Sequence, residues 1–252
     1  MSDPARRTRS EELLLARISA AAGRERLGRR RATYATAAHT ARTARVKALI
    51  APGIRGLLAL VRPGGPAGAA SARDAARLDL YENGMTVAVK HQIHVVRYDT
   101  TSVSRTEPAP PGGGGRVGAA FTLTGVDGEK VVLRAGPERG DAPEWWSQIE
   151  QDVIRAQLPR ALTALSRGER LAFGAVWITK EEIGWGEVRA EWPRVRRLRS
   201  APGTAGLDVD GTWHELGPEG PGIPNFPVLR ALVERLGPGP GERFHHDVNG
   251  ST

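Results

Sequence analysis

Arginine supplies most of the recognisable chemistry in this 252-residue chain, which has 36 basic residues, 32 of them Arg and four Lys. A guanidinium is a planar fork of five donors that pairs with phosphate or carboxylate and stacks on aromatic rings. Two groups stand out by spacing. Arg29, Arg30 and Arg31 are consecutive, while Arg194, Arg196, Arg197 and Arg199 crowd one short stretch beside Arg189 and Trp192. These seven are the candidate contacts for an anionic ligand or partner, and Trp192 adds the option of a cation–π contact. The competing reading of the second group is a sheet edge guarded by charge.

Other chemistry fails on residue type or spacing. The chain has no Cys, which excludes disulfide frameworks, thiolate zinc sites and thiol nucleophiles. Gly112 to Gly115 lack the Lys-Ser/Thr that completes a phosphate loop. His91 and His94 lie three apart in a strand pattern, which points them to opposite faces. His245 and His246 fall in a Gly/Pro-rich tail, and Asp208 and Asp210 read as a strand entering a turn. Glu181, Glu182 and Glu187 lie in a hairpin loop. No catalytic, cofactor or metal residues are expected, and the chain reads as a non-enzyme.

Charge is unevenly distributed along the chain. Residues 1–62 carry 14 basic and four acidic residues, a net +10, and the remainder is −2. Such a cationic segment suits an anionic membrane surface or nucleic acid. Thr8 and Glu11 are spaced as a capping box, and Leu14, Leu15, Ile18, Ala21 and Ala22 follow at helical spacing. A second helical run is expected from Arg24 to Lys47, so residues 1–62 read as a basic Ala/Arg-rich helical arm. The apolar stripe favours a lipid surface over nucleic acid, since only Tyr34 offers a stacking platform. The start of the chain shows no secretory pattern, so a cytoplasmic protein, peripheral at membranes, is expected. Residues 63–76 read as a Pro/Gly/Ala linker.

From Arg77 the hydrophobic period turns from helical to alternating. Leu78 and Leu80 run into Glu82-Asn83-Gly84, a hairpin signal, and strands follow over 85–89, 93–98, 100–103, 120–124 and 131–133. A Pro/Gly insertion occupies 107–118. A helix capped by Asp141 carries Trp146, Ile149, Val153 and Leu158, and Pro159 should end or kink it, with a short helix over 160–165. The second half repeats this order: strands at 176–178, 188–192 and 207–209, a second Val-Asp-Gly turn, then a helix capped by Asn225. Trp177, Trp192 and Trp213 are assigned to the core. The Val-Asp-Gly turns at 126–128 and 209–211 precede the proposed helix caps by 13 and 14 residues, which supports an internal duplication.

The fold class expected is α+β: two tandem PH-like units, each a small antiparallel meander or half-barrel closed by a C-terminal helix. The first spans 77–168, the second 169–237, and 238–252 form a disordered tail. The chain resembles an uncharacterised bacterial family of tandem PH-like proteins. The resemblance is carried by Leu80-Tyr81-Glu82-Asn83-Gly84, Arg170-Leu171-Ala172-Phe173-Gly174, Trp192 with Val195, and Ile223-Pro224-Asn225-Phe226, with Leu27-Gly28 and Thr33-Tyr34 added. Thr101 stands where that pattern tends to have a larger aliphatic residue. The resemblance implies a fold and brings no established activity. Lipid-binding PH domains hold inositol phosphates near their first hairpins, whereas the tip here is acidic at Glu82. The function expected is binding or scaffolding for a protein or peptide partner, with strand addition at a sheet edge as one mode. An anionic lipid surface is a second contact, nucleic acid is the alternative partner, and an enzyme with an inter-domain site ranks third.

Overall fold

The structure is a computed structural model that describes residues 9–41, 75–89, 92–106, 119–134, 144–201, 204–218 and 223–238. Thr8, residues 63–74 of the expected linker, the insertion 107–118, Asp141 and the tail from 239 lie outside the described residues, and the linker's last two residues, Ala75 and Ala76, are strand. The fold is α+β, with three helices and antiparallel sheets among them.

Helix α1 (Arg9–Arg24) has Glu11 and Glu12 in its first turn and Arg24 in its last, the charge order its dipole favours. Its apolar stripe is in use. Ile18, Ala21 and Ala22 are buried where the helix lies on β3 (Gly84–Val89) and β4 (Gln92–Arg97). Every residue of β3 is therefore buried, one face under α1 and the other in the core. Of the stripe's neighbours, Leu13 stays 59% exposed.

The expected second arm helix is overturned. Residues 30–41 form β1 (Arg30–Ala41), a 12-residue strand inside the first sheet. It pairs antiparallel with β2 (Ala75–Tyr81) through residues 30–37 and with β7 (Lys130–Arg134) through 37–41, changing partner at Ala37. With β5 (Val103–Thr106) and β6 (Ala120–Thr124) the order is β4-β3-β2-β1-β7-β6-β5. The period of two is present in β1, since Ala32, Tyr34 and Ala38 face the core while Thr33 and Ala35 are exposed. Alanine, the strongest helix former and a residue depleted in strands, concealed it. Residues 9–41 therefore belong to the first unit, which begins well before Arg77.

The Glu82-Asn83 turn joins β2 to β3, and Gly84 is already strand. A Cβ at Gly84 would collide with the Val96 carbonyl and come within 2.8 Å of Leu27, so only glycine admits this approach. The turn also anchors the α1–β1 loop: the Asn83 N–H donates to the Leu27 carbonyl at 2.9 Å.

Helix α2 (Glu144–Ser166) follows β7 and continues for 23 residues through Pro159, so the helix does not end there and 160–165 is no separate helix. Its first half buries Trp145, Trp146, Ile149 and Val153, and its last turn buries Leu165. Burial at both ends holds the element across one missing hydrogen bond, a local cost of about 3 kcal/mol. Phe121 stacks on Trp146 with centroids 4.1 Å apart and meets Trp145 edge-on at 5.4 Å. Such pairs add about 0.5–1.5 kcal/mol beyond area burial.

The second unit contains β8 (Leu171–Phe173), β9 (Val176–Ile178), β10 (Glu182–Trp185) and β11 (Val188–Glu191) in the order β11-β10-β9-β8. A single 3-10 turn, Trp192–Arg194, leads to β12 (Val195–Ala201), β13 (Thr204–Val209) and β14 (Thr212–Pro218), then α3 (Phe226–Leu236). Strands β8, β10 and β12 were not read from the sequence. Both units run as a four-strand meander, a three-strand meander and a closing helix. The two Val-Asp-Gly turns occupy equivalent joins, β6–β7 and β13–β14.

One hydrophobic cluster spans both units, from Leu78 and Phe121 to Leu207 and Leu229, and α2 packs on α3. Asn225 is the polar join. It stands at the expected N-cap position of α3, with φ +54°, but its side chain makes no bond to its own helix. Its left-handed backbone sends the side chain to β5 instead, where Oδ1 accepts from the Val103 N–H at 2.7 Å and the Asn225 N–H donates to the Val103 carbonyl at 2.8 Å. Asn225 Nδ2 donates to Gln157 Oε1 at 3.2 Å. Gln157 Nε2 in turn donates to the carbonyls of Tyr98 and Thr101 at 2.8 and 2.9 Å. Thr101 earns its place nearby, its hydroxyl accepting the Thr124 N–H at 3.2 Å.

Candidate functional site

The first arginine group is committed internally. Arg29 donates Nε to Glu82 at 3.0 Å and its backbone N–H to the same carboxylate at 3.1 Å, which holds Glu82 below the usual carboxylate range. A β-bulge at Arg31 sends its neighbours to different partners. Arg30 lies 3.6 Å from Asp79, and Arg31 pairs with Asp152 on α2. Both of these carboxylates are buried. Asp79 also accepts from the Thr33 hydroxyl at 2.5 Å and from Arg77 at 2.7 and 2.9 Å, and Asp152 accepts from Arg155 at 2.6 Å. A buried carboxylate left unpaired is costly, so these arginines answer a need of the fold. Arg97 is committed likewise, to Asp99 at 3.0 Å and to the Glu25 carbonyl at 2.6 Å.

The second group divides. Arg194, on the 3-10 turn, donates to Asp210 at 2.7 Å, which raises its pKa, and Arg197 lies 3.6 Å from Asp208. Arg196, the bulged residue of β12, and Arg199 are exposed and have no ionic partner among the described residues.

Position in the sheet gives these two their setting. Leu198, Ala205, Leu207, Val209 and Leu216 turn inward from the β12-β13-β14 sheet. Register places Arg199 beside Gly206, and Arg197 in line with Asp208 and Trp213. The Trp213 ring lies flat over Gly206, where any Cβ would collide with it, and the residue is 46% exposed. An aromatic covering a strand glycine restores the packing the glycine lacks. Trp213 is therefore a surface residue, against its core assignment.

A parallel arrangement sits on the four-strand sheet. Trp177 is directly opposite Gly184 and covers it. The Arg170 guanidinium stacks 3.9 Å above the Trp177 ring, and Arg189 approaches the same ring at 5.6 Å while lying 3.7 Å from Glu182. Trp177 is half-buried, and of the three tryptophans Trp192 alone is core, its Nε1 donating to the Thr179 carbonyl at 3.1 Å. The Arg170–Trp177–Gly184 stack was missed in the sequence. Its available signal was a Trp and a Gly placed to face each other across a hairpin.

Glu181, Glu182 and Glu187 do not share one loop and do not converge, Glu182 being part of β10. Glu181 and Glu187 are exposed in separate turns, and Glu182 faces Arg189. Elsewhere, His94 of β4 lies close to Asp127 and Glu129 of the β6–β7 turn, so one imidazole and two carboxylates meet there. His91, Lys90, His245 and His246 lie outside the described residues. No family model and no curated protein matches the chain. Among the described residues no helix is long and apolar enough to cross a membrane.

Proposed function

We propose that this protein is a non-enzymatic binding module of two PH-like units, and that the outer face of its second unit takes an acidic segment of a protein partner. The PH-like reading is supported by the repeated plan of four strands, three strands and a closing helix. The carrying observation for binding is the pair Arg196 and Arg199 on β12, both exposed without carboxylate partners among the described residues, with Arg199 opposite the Gly206 that the exposed Trp213 covers. Arginine and tryptophan are the residues most often found to anchor interfaces, because each combines large contact area with directed polar bonding. A carboxylate-bearing segment would pair with the free guanidiniums and lay its apolar atoms on the indole. A lipid surface is less well served, because the apolar stripe of α1 is packed on β3 and β4. The arginines of 29–31 are likewise held by Glu82, Asp79 and Asp152.

The test titrates the full chain, and an Arg196→Glu/Arg199→Glu variant, with a fluorescein-labelled oligoglutamate peptide containing one leucine, across a salt series. Anionic phosphatidylserine vesicles and a DNA duplex run in parallel. Peptide binding that falls at least tenfold in the variant supports the reading. Binding of vesicles or DNA in place of the peptide, or binding unchanged by the charge reversal, defeats it.

A further inference from the structure

A second site lies in the first unit, away from the arginine face. His94, Asp127 and Glu129 each offer one ligand atom, and the three atoms lie within 4.8 Å of one another. Two elements are held together to achieve this. The Val126 N–H donates to the Val95 carbonyl of β4 at 3.0 Å, fastening the β6–β7 turn to that strand. Gly125 makes the approach possible, since a Cβ there would come within 2.8 Å of Asp127 Oδ1 and 3.2 Å of the Val95 carbonyl. The Glu129 N–H donates to Asp127 Oδ1 at 2.9 Å, fixing that carboxylate.

The imidazole is the unusual member. His94 is 6% exposed, and Nε2 is buried with no hydrogen-bond partner among the described residues. Nδ1 lies 3.4 Å from Glu129 Oε2. An ordinary N–H···O bond is shorter, about 2.7–3.2 Å. Two donors bound to one ion at about 2.0–2.1 Å in tetrahedral array stand roughly 3.4 Å apart, which is the separation found. A nitrogen with two carboxylate oxygens is a donor set suited to zinc.

We propose that His94 Nδ1, Asp127 and Glu129 bind a divalent zinc-like cation, with water completing its coordination from the exposed side of Asp127. Such an ion staples the β6–β7 turn to β4 and so ties together two distant parts of the seven-stranded order. Its readout is calorimetric titration of the full chain with Zn²⁺, beside an Asp127→Asn/Glu129→Gln variant whose far-UV circular dichroism confirms the fold. One zinc per chain is expected, with affinity at least tenfold weaker in the variant. Zinc should also raise the melting temperature of the parent only. Equal affinity in the variant would assign the metal to other histidines, such as His245 and His246, and overturn the proposal. Absence of stoichiometric binding to the parent overturns it as well.

Discussion

The two units follow one plan and differ at the seam between their first and last strands. In the first unit β1 has 12 residues and pairs with both β2 and β7, so the two meanders become one seven-stranded sheet. In the second, among the described residues, β8 has three residues and pairs with β9 alone, β14 pairs with β13 alone, and the four- and three-stranded sheets stay separate. Charge follows the same division. Arg30, Arg31, Arg77 and Arg155 of the first unit face the buried Asp79 and Asp152, whereas Arg170 and Arg189 of the second meet Trp177, and Arg196 and Arg199 are exposed on β12. A closed seam suits a scaffold, and a unit relieved of that task can turn its polar residues outward.

The largest effect should come from breaking the closed seam. Ala38 is fully buried in β1 opposite Leu133, so Ala38→Asp places an unpaired charge in the core, at a cost of about 3–5 kcal/mol. Ala172 of β8 is exposed, and Ala172→Asp should stay within about 0.5 kcal/mol. Urea denaturation of both variants measures the contrast. Equal midpoints would mean that the seams do not differ in consequence.

The strands that the sequence showed best are those with branched or aromatic side chains on alternate positions, such as β4 and β6. Strand β1 reads Arg-Arg-Ala-Thr-Tyr-Ala-Thr-Ala-Ala-His-Thr-Ala, with no large aliphatic residue, and its local preference was overruled by pairing on both sides. Short β8 and β10 offered too few residues for a period. Pro159 misled in the other direction, because its local rule carries no information about Leu165 packed beyond it. At the candidate site Arg196 and Arg199 were legible from spacing, while their freedom depended on which carboxylates the fold delivered to Arg194 and Arg197. The zinc-like triad was hidden because His94 and Glu129 are 35 positions apart in the chain.

A middle-sized effect is expected at the join between the units. Asn225→Gly keeps a residue at ease with φ +54° but removes the bonds to Val103 and Gln157, leaving a buried N–H unsatisfied at a cost of about 1–3 kcal/mol. Asn225→Ala should cost more, because it adds backbone strain. Denaturation midpoints, with amide exchange at Val103, separate the two contributions. Equal stability of parent and glycine variant would show that the units are held by their shared apolar core alone.

The smallest contrast concerns acid sensitivity. The Arg97 hydrogen bond holds the Asp99 carboxyl below its ordinary value, against the opposing effect of burial. Its contribution is complete above the unfolded carboxylate value of about 3.9 and is lost as pH falls from there through the lower folded value. Asp99→Asn should therefore narrow the gap between urea midpoints at pH 7 and pH 3. An ion pair of the second unit, Arg194 and Asp210, is exposed on both sides, and Arg194→Ala should leave the pH 7 midpoint unresolved from the parent. An unchanged pH gap in the Asp99 variant would remove this distinction between the units.

The composition of β1 also bears on how the chain survives its own synthesis. This strand leaves the ribosome well before β7, and its last five residues find their partners only when residues 130–134 have been made. A strand rich in valine and isoleucine left waiting so long would invite pairing with neighbouring nascent chains. Alanine, threonine and arginine give it little stickiness until β7 arrives. The same plainness that made it look like a helix protects it while it waits.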